Sequence, residues 1–219
     1  MNRAAFFDID GTLISDYSQK ILVNLMSDEK YISNQQRVYL YICFFLMRAG
    51  FLHNTTKIRE AAYSVFCKYE KKIIDDFFYQ TSICISKYYK KNWMFECIAK
   101  HKDRGFRIIG ITASLKKICL YTSIEFGIHD FYGTELSVEN GKYNGKWKGQ
   151  ILEGSHKVDL MMSLKEKLNL DMSESYAYAD SLSDLPMLES VGHPVAVCPD
   201  SRLKKYALKH NWTILEDPK

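Results

Sequence analysis

The amino-acid sequence predicts an α/β protein with a mainly parallel sheet and an all-helical insertion after the first strand. Three observations carry this prediction. A short apolar run near the start ends at two aspartates, residues 15–92 show helical periodicity without a convincing strand, and the residues after 93 alternate between helical and strand patterns. With 219 residues, 47% of them hydrophobic, the chain can bury one domain with an insertion, or one and a half domains.

The first strand is predicted from the apolar run that begins at Ala4. This run ends at Asp8 and Asp10, and Gly11-Thr12 then interrupt the strand pattern. Ligands of open parallel sheets bind beyond the carboxyl ends of the strands. Both carboxylates are therefore candidates for a nucleophile, an acid or base, or a metal ligand. The alternative is that they only stabilise a turn or cap a helix.

The insertion is predicted from apolar residues that recur at helical spacing in four segments. These segments contain Ile21, Leu22, Leu25 and Met26; Tyr39–Met47; Ile58, Ala61, Ala62, Val65 and Phe66; and Ile73, Ile74, Phe77 and Phe78. The most apolar run, Val38–Met47, is roughly half the length needed to span a bilayer. It is predicted to form a buried helix.

Charge within the insertion is mostly positive and is interleaved with tyrosine. The residues concerned are Lys68, Lys71, Lys72, Lys87, Lys90 and Lys91, with Tyr69, Tyr79, Tyr88 and Tyr89. A solvated basic face is the favoured interpretation, and weak contact with phosphate or an anionic membrane is the alternative. The net charge of +4 suits an anionic substrate and gives no indication of nucleic-acid binding.

The cysteines and the N-terminus both indicate a cytoplasmic protein. The six cysteines form no CxxC pair and are expected to be reduced thiols. The first strand begins so early that no secretory leader is expected. His53, His101, His129, His193 and His210 lack metal-ligand spacing and are expected to be structural.

Helices and strands alternate after residue 93, which predicts a parallel sheet with helices on both faces. The predicted helices are Phe95–Arg104, Leu115–Phe126, Lys157–Leu168, Leu182–Glu189 and Ser201–His210. The predicted strands are Phe106–Ile111, Asp130–Gly133, Tyr176–Ala179, Pro194–Val197 and Trp212–Leu215. A hairpin of Leu136–Val138 and Tyr143–Trp147 is predicted from the Asn140-Gly141 turn between them.

Further polar residues follow the later strands. Thr112, Ala113 and Ser114 come between a strand and a helix, where hydroxyl and N–H groups suit a phosphate or simply cap the helix. Lys157 opens a helix, a position more typical of a solvated side chain when taken alone. Two more carboxylates follow the strand Tyr176–Ala179 in the segment Asp180-Ser181-Leu182-Ser183-Asp184.

Four motifs in this order resemble those of haloacid-dehalogenase-type hydrolases of the phosphoserine-phosphatase-like branch. They are Asp8-Ile9-Asp10-Gly11-Thr12-Leu13, Thr112, Lys157 and Asp180-Ser181-Leu182-Ser183-Asp184. The resemblance continues through Leu185–Leu188 and Gly192–Val197. It implies a Rossmann-like core of residues 1–14 and 93–219, with residues 15–92 as an inserted helical cap.

The resemblance also implies an activity, the Mg²⁺-dependent hydrolysis of a small phosphomonoester through an aspartyl-phosphate. Asp8 would be the nucleophile and Asp10 the acid and base. The metal would be held by the Asp8 carboxylate, the Asp10 backbone carbonyl and Asp180. Asp184 would support the metal's waters and Lys157. The phosphoryl group would be bound by Thr112, Ala113, Ser114 and Lys157.

Two positions depart from the family pattern. Ala179 stands where the fourth motif usually has glycine. Tyr17, beside Asp16, stands where phosphoserine phosphatases carry a glutamate that binds the substrate amine. Both Tyr17 and Asp16 are expected to face the organic group of the substrate. The departure at Tyr17 favours a different phosphorylated metabolite, or a phospholipid-like headgroup with an apolar or choline-like portion.

Three alternative functions stay open from the sequence. The first is a phosphoserine phosphatase proper. The second is a phospho-acceptor that is modified at Asp8 without turnover, and the third is a protein that binds a membrane surface through the basic, aromatic insertion. The sequence leaves the oligomeric state open.

Overall fold

The computed structural model describes residues 1–48, 55–128 and 130–218. His53 and His129, both expected to be structural, lie outside these residues. Within them the strands form one sheet, in the order β4-β3-β2-β1-β5-β6-β7. The strands are β1 (Ala4–Phe7), β2 (Arg107–Leu115), β3 (Asp130–Glu139), β4 (Lys142–Lys148), β5 (Tyr176–Ala179), β6 (His193–Val197) and β7 (Thr213–Leu215).

The strands pair in parallel apart from the β3–β4 hairpin, which confirms the predicted fold class. Asn140 and Gly141 have φ values of 48° and 76° between the paired residues Glu139 and Lys142. This left-handed pair is the backbone of a tight hairpin turn. The Asn-Gly signal therefore predicted the hairpin correctly.

Helices α1–α4 lie between β1 and β2. They are α1 (Ser18–Asp28), α2 (Asn34–Arg48), α3 (Thr55–Tyr63) and α4 (Lys71–Cys84), with a 3-10 helix at Ser64–Lys68 and a π-helical turn at Ile85–Tyr89. We call this set the inserted helices. The later helices are α5 (Met94–Asp103), α6 (Lys116–Glu125), α7 (Ser155–Leu168), α8 (Leu185–Glu189) and α9 (Ser201–Lys209), with a 3-10 turn at Leu182–Asp184 before α8. Within the described ranges, each helix is too short or too polar to cross a lipid bilayer.

β2 and β3 are longer than predicted. β2 continues past Ile111 to Leu115, and its pairing with β3 shifts register between these two residues. The Thr134 hydroxyl donates to the Ala113 carbonyl at 2.7 Å, which supports this extension. The strand therefore continues through the polar residues that suggested its end.

The two faces of the sheet carry two apolar clusters, because successive residues of a strand point to opposite sides. Phe6 packs with Met161 and Met187 on one face. Phe7 belongs to the cluster on the other face, which runs without interruption into Leu22 and Phe78 of the inserted helices. One apolar core therefore holds the inserted helices against the sheet. The division into a 15–92 cap and a core stays a prediction.

Helix α2 is less buried than the apolar run Val38–Met47 predicted. Its inner side buries Leu40 and Cys43, but Val38, Ile42 and Phe45 are more than half exposed, Phe45 by 67%. The predicted buried helix is therefore buried on one side only. Length and apolar composition do not show which side of a helix meets a partner.

The two chain segments that connect the inserted helices to the sheet run side by side. The Ser15 amide donates to the Tyr89 carbonyl at 2.7 Å, and the Lys91 amide donates to the Leu13 carbonyl at 2.9 Å. Ile14 and Lys90 form an antiparallel bridge between these contacts. The insertion therefore leaves and rejoins the sheet at one place, directly beyond the first motif.

Candidate active site

The motif residues meet at one edge of the sheet. β1 lies between β2 and β5, and the three strands are parallel, so their carboxyl ends are adjacent. Asp8 follows β1, Thr112 lies near the end of β2, and Asp180 follows β5. This arrangement is the one expected from the strand-end positions of these residues.

Lys157 enters this edge from the first turn of α7. It is 2% exposed, and its Nζ lies 2.6 Å from Asp8 Oδ1 and 2.7 Å from Asp184 Oδ1. Burial by itself lowers the pKa of Lys157, but the charges of Asp184 and Asp8 outweigh burial and raise it above its ordinary value. Lys157 is therefore a charged ammonium that bridges the first and fourth motifs.

Three buried carboxylates surround this lysine. Asp8, Asp180 and Asp184 each offer an oxygen, and these oxygens all lie within 4.8 Å of one another. Burial raises the pKa of Asp8 well above its ordinary value; Lys157 opposes the shift, while Asp184 and Asp180 add to it. Three carboxyl groups therefore share this buried space with one ammonium group. The donor set therefore fits a hard divalent cation such as Mg²⁺, which prefers carboxylate oxygens.

Asp10 has a different environment. Its Oδ1 accepts a hydrogen bond from the Ser18 amide at 2.8 Å, and its Oδ2 accepts from the Ser18 hydroxyl at 3.2 Å and from the Ser114 hydroxyl. Ser18 is the first residue of α1 and Ser114 belongs to β2. The inserted helices and the sheet thus orient the Asp10 carboxylate together. Sequence reasoning missed Ser18, because a serine at a helix start is ordinarily a helix-terminus residue.

Gly11 brings the first motif close to the fourth. Its φ is +80°, and a Cβ built on it would lie 2.2 Å from Asp180 Oδ2. A side chain would therefore clash with the carboxylate cluster as well as strain the backbone. Only glycine lets this turn approach Asp180 so closely.

The basic residues of the insertion were expected to form a solvated face, and Lys91 is an exception. It is 7% exposed, and its Nζ donates to the Gly11 carbonyl at 2.5 Å. Lys68, Lys72 and Lys87 are exposed as expected. Lys91 differs because it lies in the second connecting segment, alongside Leu13. It places a positive charge behind the turn that follows the two motif aspartates.

We predict that Lys91→Met lowers kcat/KM about tenfold, since a buried hydrogen bond to a charged group contributes roughly 1.5–3 kcal/mol. The loss of this bond would leave the Gly11 carbonyl unsatisfied and the turn less ordered. The matched control is Lys90→Met, because Lys90 pairs with Glu125 at 3.1 Å, away from Gly11. Steady-state kinetics on one phosphomonoester measures both variants. Equal activities in the two variants would show that Lys91 does not support the turn.

A cleft of about 150 Å³ opens over these residues. It is lined by the predicted residues Asp8, Asp10, Tyr17, Thr112, Ala113, Ser114, Lys157 and Asp184, and by Gln19, Phe44, Arg59, Glu153 and Ser183.

Asp16 does not belong to this lining among the described residues. It pairs with Lys20 at 2.7 Å and accepts from the Tyr17 amide at 2.8 Å. Its contact with a substrate stays a prediction.

Arg59 and Glu153 are the main cleft residues that sequence reasoning missed. They form an ion pair between α3 and the segment before α7. Arg59 is 8% exposed although it is charged. No spacing in the sequence relates positions 59 and 153, so their contact follows only from the packing of the inserted helices over the sheet.

The fold and the site together describe an α/β enzyme whose active site holds buried aspartates and a lysine at the carboxyl ends of parallel strands. The model of the haloacid dehalogenase-like hydrolase family matches residues 5–189. The chain belongs to this family. The resemblance expected from the four motifs is thereby confirmed.

Named relatives and solved structures agree with this assignment. Phosphoserine phosphatase SerB1 of Mycobacterium tuberculosis (strain ATCC 25618 / H37Rv) is 33% identical over 119 residues, which are 54% of this chain and 39% of that protein. This chain therefore matches well under half the length of that relative. A protein of unknown function from Bordetella pertussis Tohama I has a TM-score of 0.87 at 19% identity, covering 98% of both chains. A phosphoserine phosphatase with a phospho-aspartyl intermediate analogue has a TM-score of 0.76 at 16% identity, covering 100% of this chain and 94% of that one. The structural likeness shows a shared fold.

Proposed function

We propose that this protein is a Mg²⁺-dependent phosphatase that hydrolyses a small phosphomonoester through an aspartyl-phosphate on Asp8. The observation that carries the proposal is the buried Lys157, which contacts Asp8 and Asp184 at 2.6 and 2.7 Å beside Asp180. Lys157 favours the carboxylate form of Asp8 against the effect of burial, and it adds positive charge to a site that would accept an anionic group. The phosphatase names of relatives in this family support the same activity.

In the first step, an Asp8 carboxylate oxygen attacks phosphorus, and the bond from phosphorus to the ester oxygen breaks. The electron pair of that bond stays on the leaving oxygen, which takes a proton from Asp10. Ser18 and Ser114 orient the Asp10 carboxyl group by hydrogen bonds. The products of this step are the alcohol and a phosphorylated Asp8.

In the second step, water loses a proton to the Asp10 carboxylate and attacks the phosphorus. The bond between phosphorus and the Asp8 oxygen breaks, so inorganic phosphate leaves and Asp8 returns to its carboxylate form. Splitting one displacement into two lowers each barrier. Asp10 acts as an acid in the first step and as a base in the second, so it is protonated again at the end of each turnover.

Binding of the phosphoryl group falls to residues around the nucleophile. Thr112, Ala113 and Lys157 line the cleft beside Asp8 and would bind phosphoryl oxygens. Ser114 lines the same cleft, but its hydroxyl donates to Asp10 and its amide donates to Thr112. Asp8, Asp180 and the Asp10 backbone carbonyl would hold Mg²⁺, with Asp184 in the same cluster. The ion would supply charge neutralisation for the transferring phosphoryl group.

Hydrolysis of para-nitrophenyl phosphate, with and without Mg²⁺, tests the proposal. Turnover that is lost on addition of a chelator and restored by excess Mg²⁺ supports a phosphatase. A phosphoprotein that forms once per chain and persists would support the phospho-acceptor alternative. A panel of phosphomonoesters then ranks substrates.

We predict that L-phosphoserine is a poor substrate and that Tyr17→Glu improves it relative to glycerol phosphate. Tyr17 lines the cleft and contacts the Phe44 ring at 5.2 Å between centroids, so it offers an aromatic surface instead of a carboxylate for an amine. Glu153 is already paired with Arg59. The measurement is kcat/KM for both esters.

Tyr88→Glu is the matched control, because Tyr88 is 67% exposed and does not line the cleft among the described residues. It should leave the ratio of the two esters unchanged. A wild-type preference for phosphoserine of about tenfold, or 1.4 kcal/mol in transition-state binding, would contradict the prediction. Arg59 and Glu153 would then be the groups to test for binding the amino acid.

A further inference from the structure

A second cavity of about 60 Å³ lies among the inserted helices, next to the cleft. Its lining is mostly apolar and includes Leu22, Val23, Met26, Ile32, Leu40, Cys43, Ala62, Val65, Phe66 and Leu115. These residues come from α1, the connection after it, α2, α3, the 3-10 helix after α3 and the end of β2. Apolar cavities of this kind do not retain water well, since they offer it few hydrogen-bond partners.

The cavity adjoins the candidate active site. Phe44 and Gln19 line both spaces. The Gln19 side chain donates to the Tyr63 hydroxyl at 3.4 Å, and the ring of Tyr63 also lines the cavity. Phe44, Gln19 and Tyr63 therefore lie at the boundary between the two spaces.

Charged and polar groups also lie at this boundary. Arg59 forms an ion pair with Glu153. Burial raises the pKa of Tyr63, and the positive charge of Arg59 opposes this rise. The charged pair stays on the cleft side, because neither Arg59 nor Glu153 lines the apolar cavity in the described part of the chain. A ligand that crosses the boundary beside Phe44 thus leaves a charged space and enters a mostly apolar one. Lys20 also lines the second cavity and is paired with Asp16 at 2.7 Å.

We propose that this cavity is a subsite for a short alkyl chain on the organic group of the phosphomonoester. The inference rests on the proposed phosphatase function and narrows its substrate class. The phosphoryl group would lie at Asp8 and Lys157, and the alkyl chain would pass Phe44 into the cavity. Substrates of this class carry an uncharged apolar chain in place of a second charged group.

The size of the effect follows from the burial of methylene groups. Each buried methylene is worth about 0.8 kcal/mol, or about fourfold in kcat/KM when the chain is bound in the transition state. Two added methylenes that enter the cavity should therefore raise kcat/KM about sixteenfold. A cavity of about 60 Å³ takes only a few heavy atoms, so the gain should level off for longer chains.

The test measures kcat/KM for ethyl, butyl and hexyl phosphate in the wild-type protein and in two variants. Ala62→Leu adds a larger side chain where Ala62 lines the cavity. Ala61→Leu is the matched control, since Ala61 is the exposed neighbour on the same helix. We expect a rise of about sixteenfold from ethyl to butyl in the wild type and in Ala61→Leu, and below about fourfold in Ala62→Leu.

The outcomes separate this inference from the proposed function. Hydrolysis of all three esters at equal kcat/KM by the wild type would overturn the subsite and leave the phosphatase standing, and this comparison needs no variant. An Ala62→Leu protein that retains the wild-type ratio would also overturn it. Failure to hydrolyse any phosphomonoester would instead overturn the proposed function. Inhibition by ethyl- and butylphosphonate, which are not hydrolysed, checks that the chain-length effect is one of binding.

Discussion

Asp8→Asn is expected to lower kcat by more than about a hundredfold, which corresponds to roughly 3 kcal/mol in the activation free energy. The amide keeps the shape of the side chain but is no longer a nucleophile. It also removes one of the three clustered carboxylates. Steady-state hydrolysis of para-nitrophenyl phosphate measures the loss.

The fold should survive this substitution. The amide oxygen can still accept from Lys157, and Lys157 keeps its contact with Asp184 at 2.7 Å. Removing one buried carboxylate also relieves repulsion from Asp184 and Asp180. Thermal unfolding should therefore occur at or above the wild-type temperature. Asp76→Asn, at an exposed position of α4, is the matched control and should retain full activity. More than about one hundredth of the wild-type kcat in Asp8→Asn would rule out Asp8 as the nucleophile.

Asp10→Asn should separate the two chemical steps. A good leaving group such as para-nitrophenolate needs little protonation, so phosphorylation of Asp8 should continue. Hydrolysis of the phosphoenzyme should then stall for lack of a base. We expect steady-state turnover of alkyl phosphates to fall about 10²- to 10⁴-fold, the usual contribution of general acid–base catalysis.

Rapid mixing followed by acid quench measures this phosphoenzyme. Asp10→Asn should accumulate close to one phosphoryl group per chain, and the wild type should accumulate much less. The asparagine can keep the hydrogen bond from the Ser18 amide, so misplacement of the side chain does not account for the loss. Unchanged steady-state hydrolysis of alkyl phosphates would show that Asp10 has no proton-transfer role.

The strand-end residues were predictable from the sequence, because the ends of neighbouring parallel strands always lie at the same edge of a sheet. Asp8, Thr112 and Asp180 each follow or end an apolar run of strand length, and parallel neighbours in a sheet bring such ends to one edge. The motif order further singled out Lys157 and Asp184. The boundaries of β2 and β3 were less predictable, because polar residues within β2 resemble a strand end although its pairing with β3 continues beyond them.

The sequence by itself determined the α/β class, the order of the motif residues and their convergence at the sheet edge, since short-range apolar patterns encode these features. The tertiary structure alone decided which residues of the inserted helices and of their connecting segments meet that edge. Ser18 on Asp10, Lys91 on the Gly11 carbonyl and Arg59 on Glu153 join positions 8, 80 and 94 residues apart. Such contacts depend on how one helix face packs against another element. Hydrophobic periodicity shows that a helix has an apolar face. Which residue each polar side chain contacts depends on how that face packs in the folded protein.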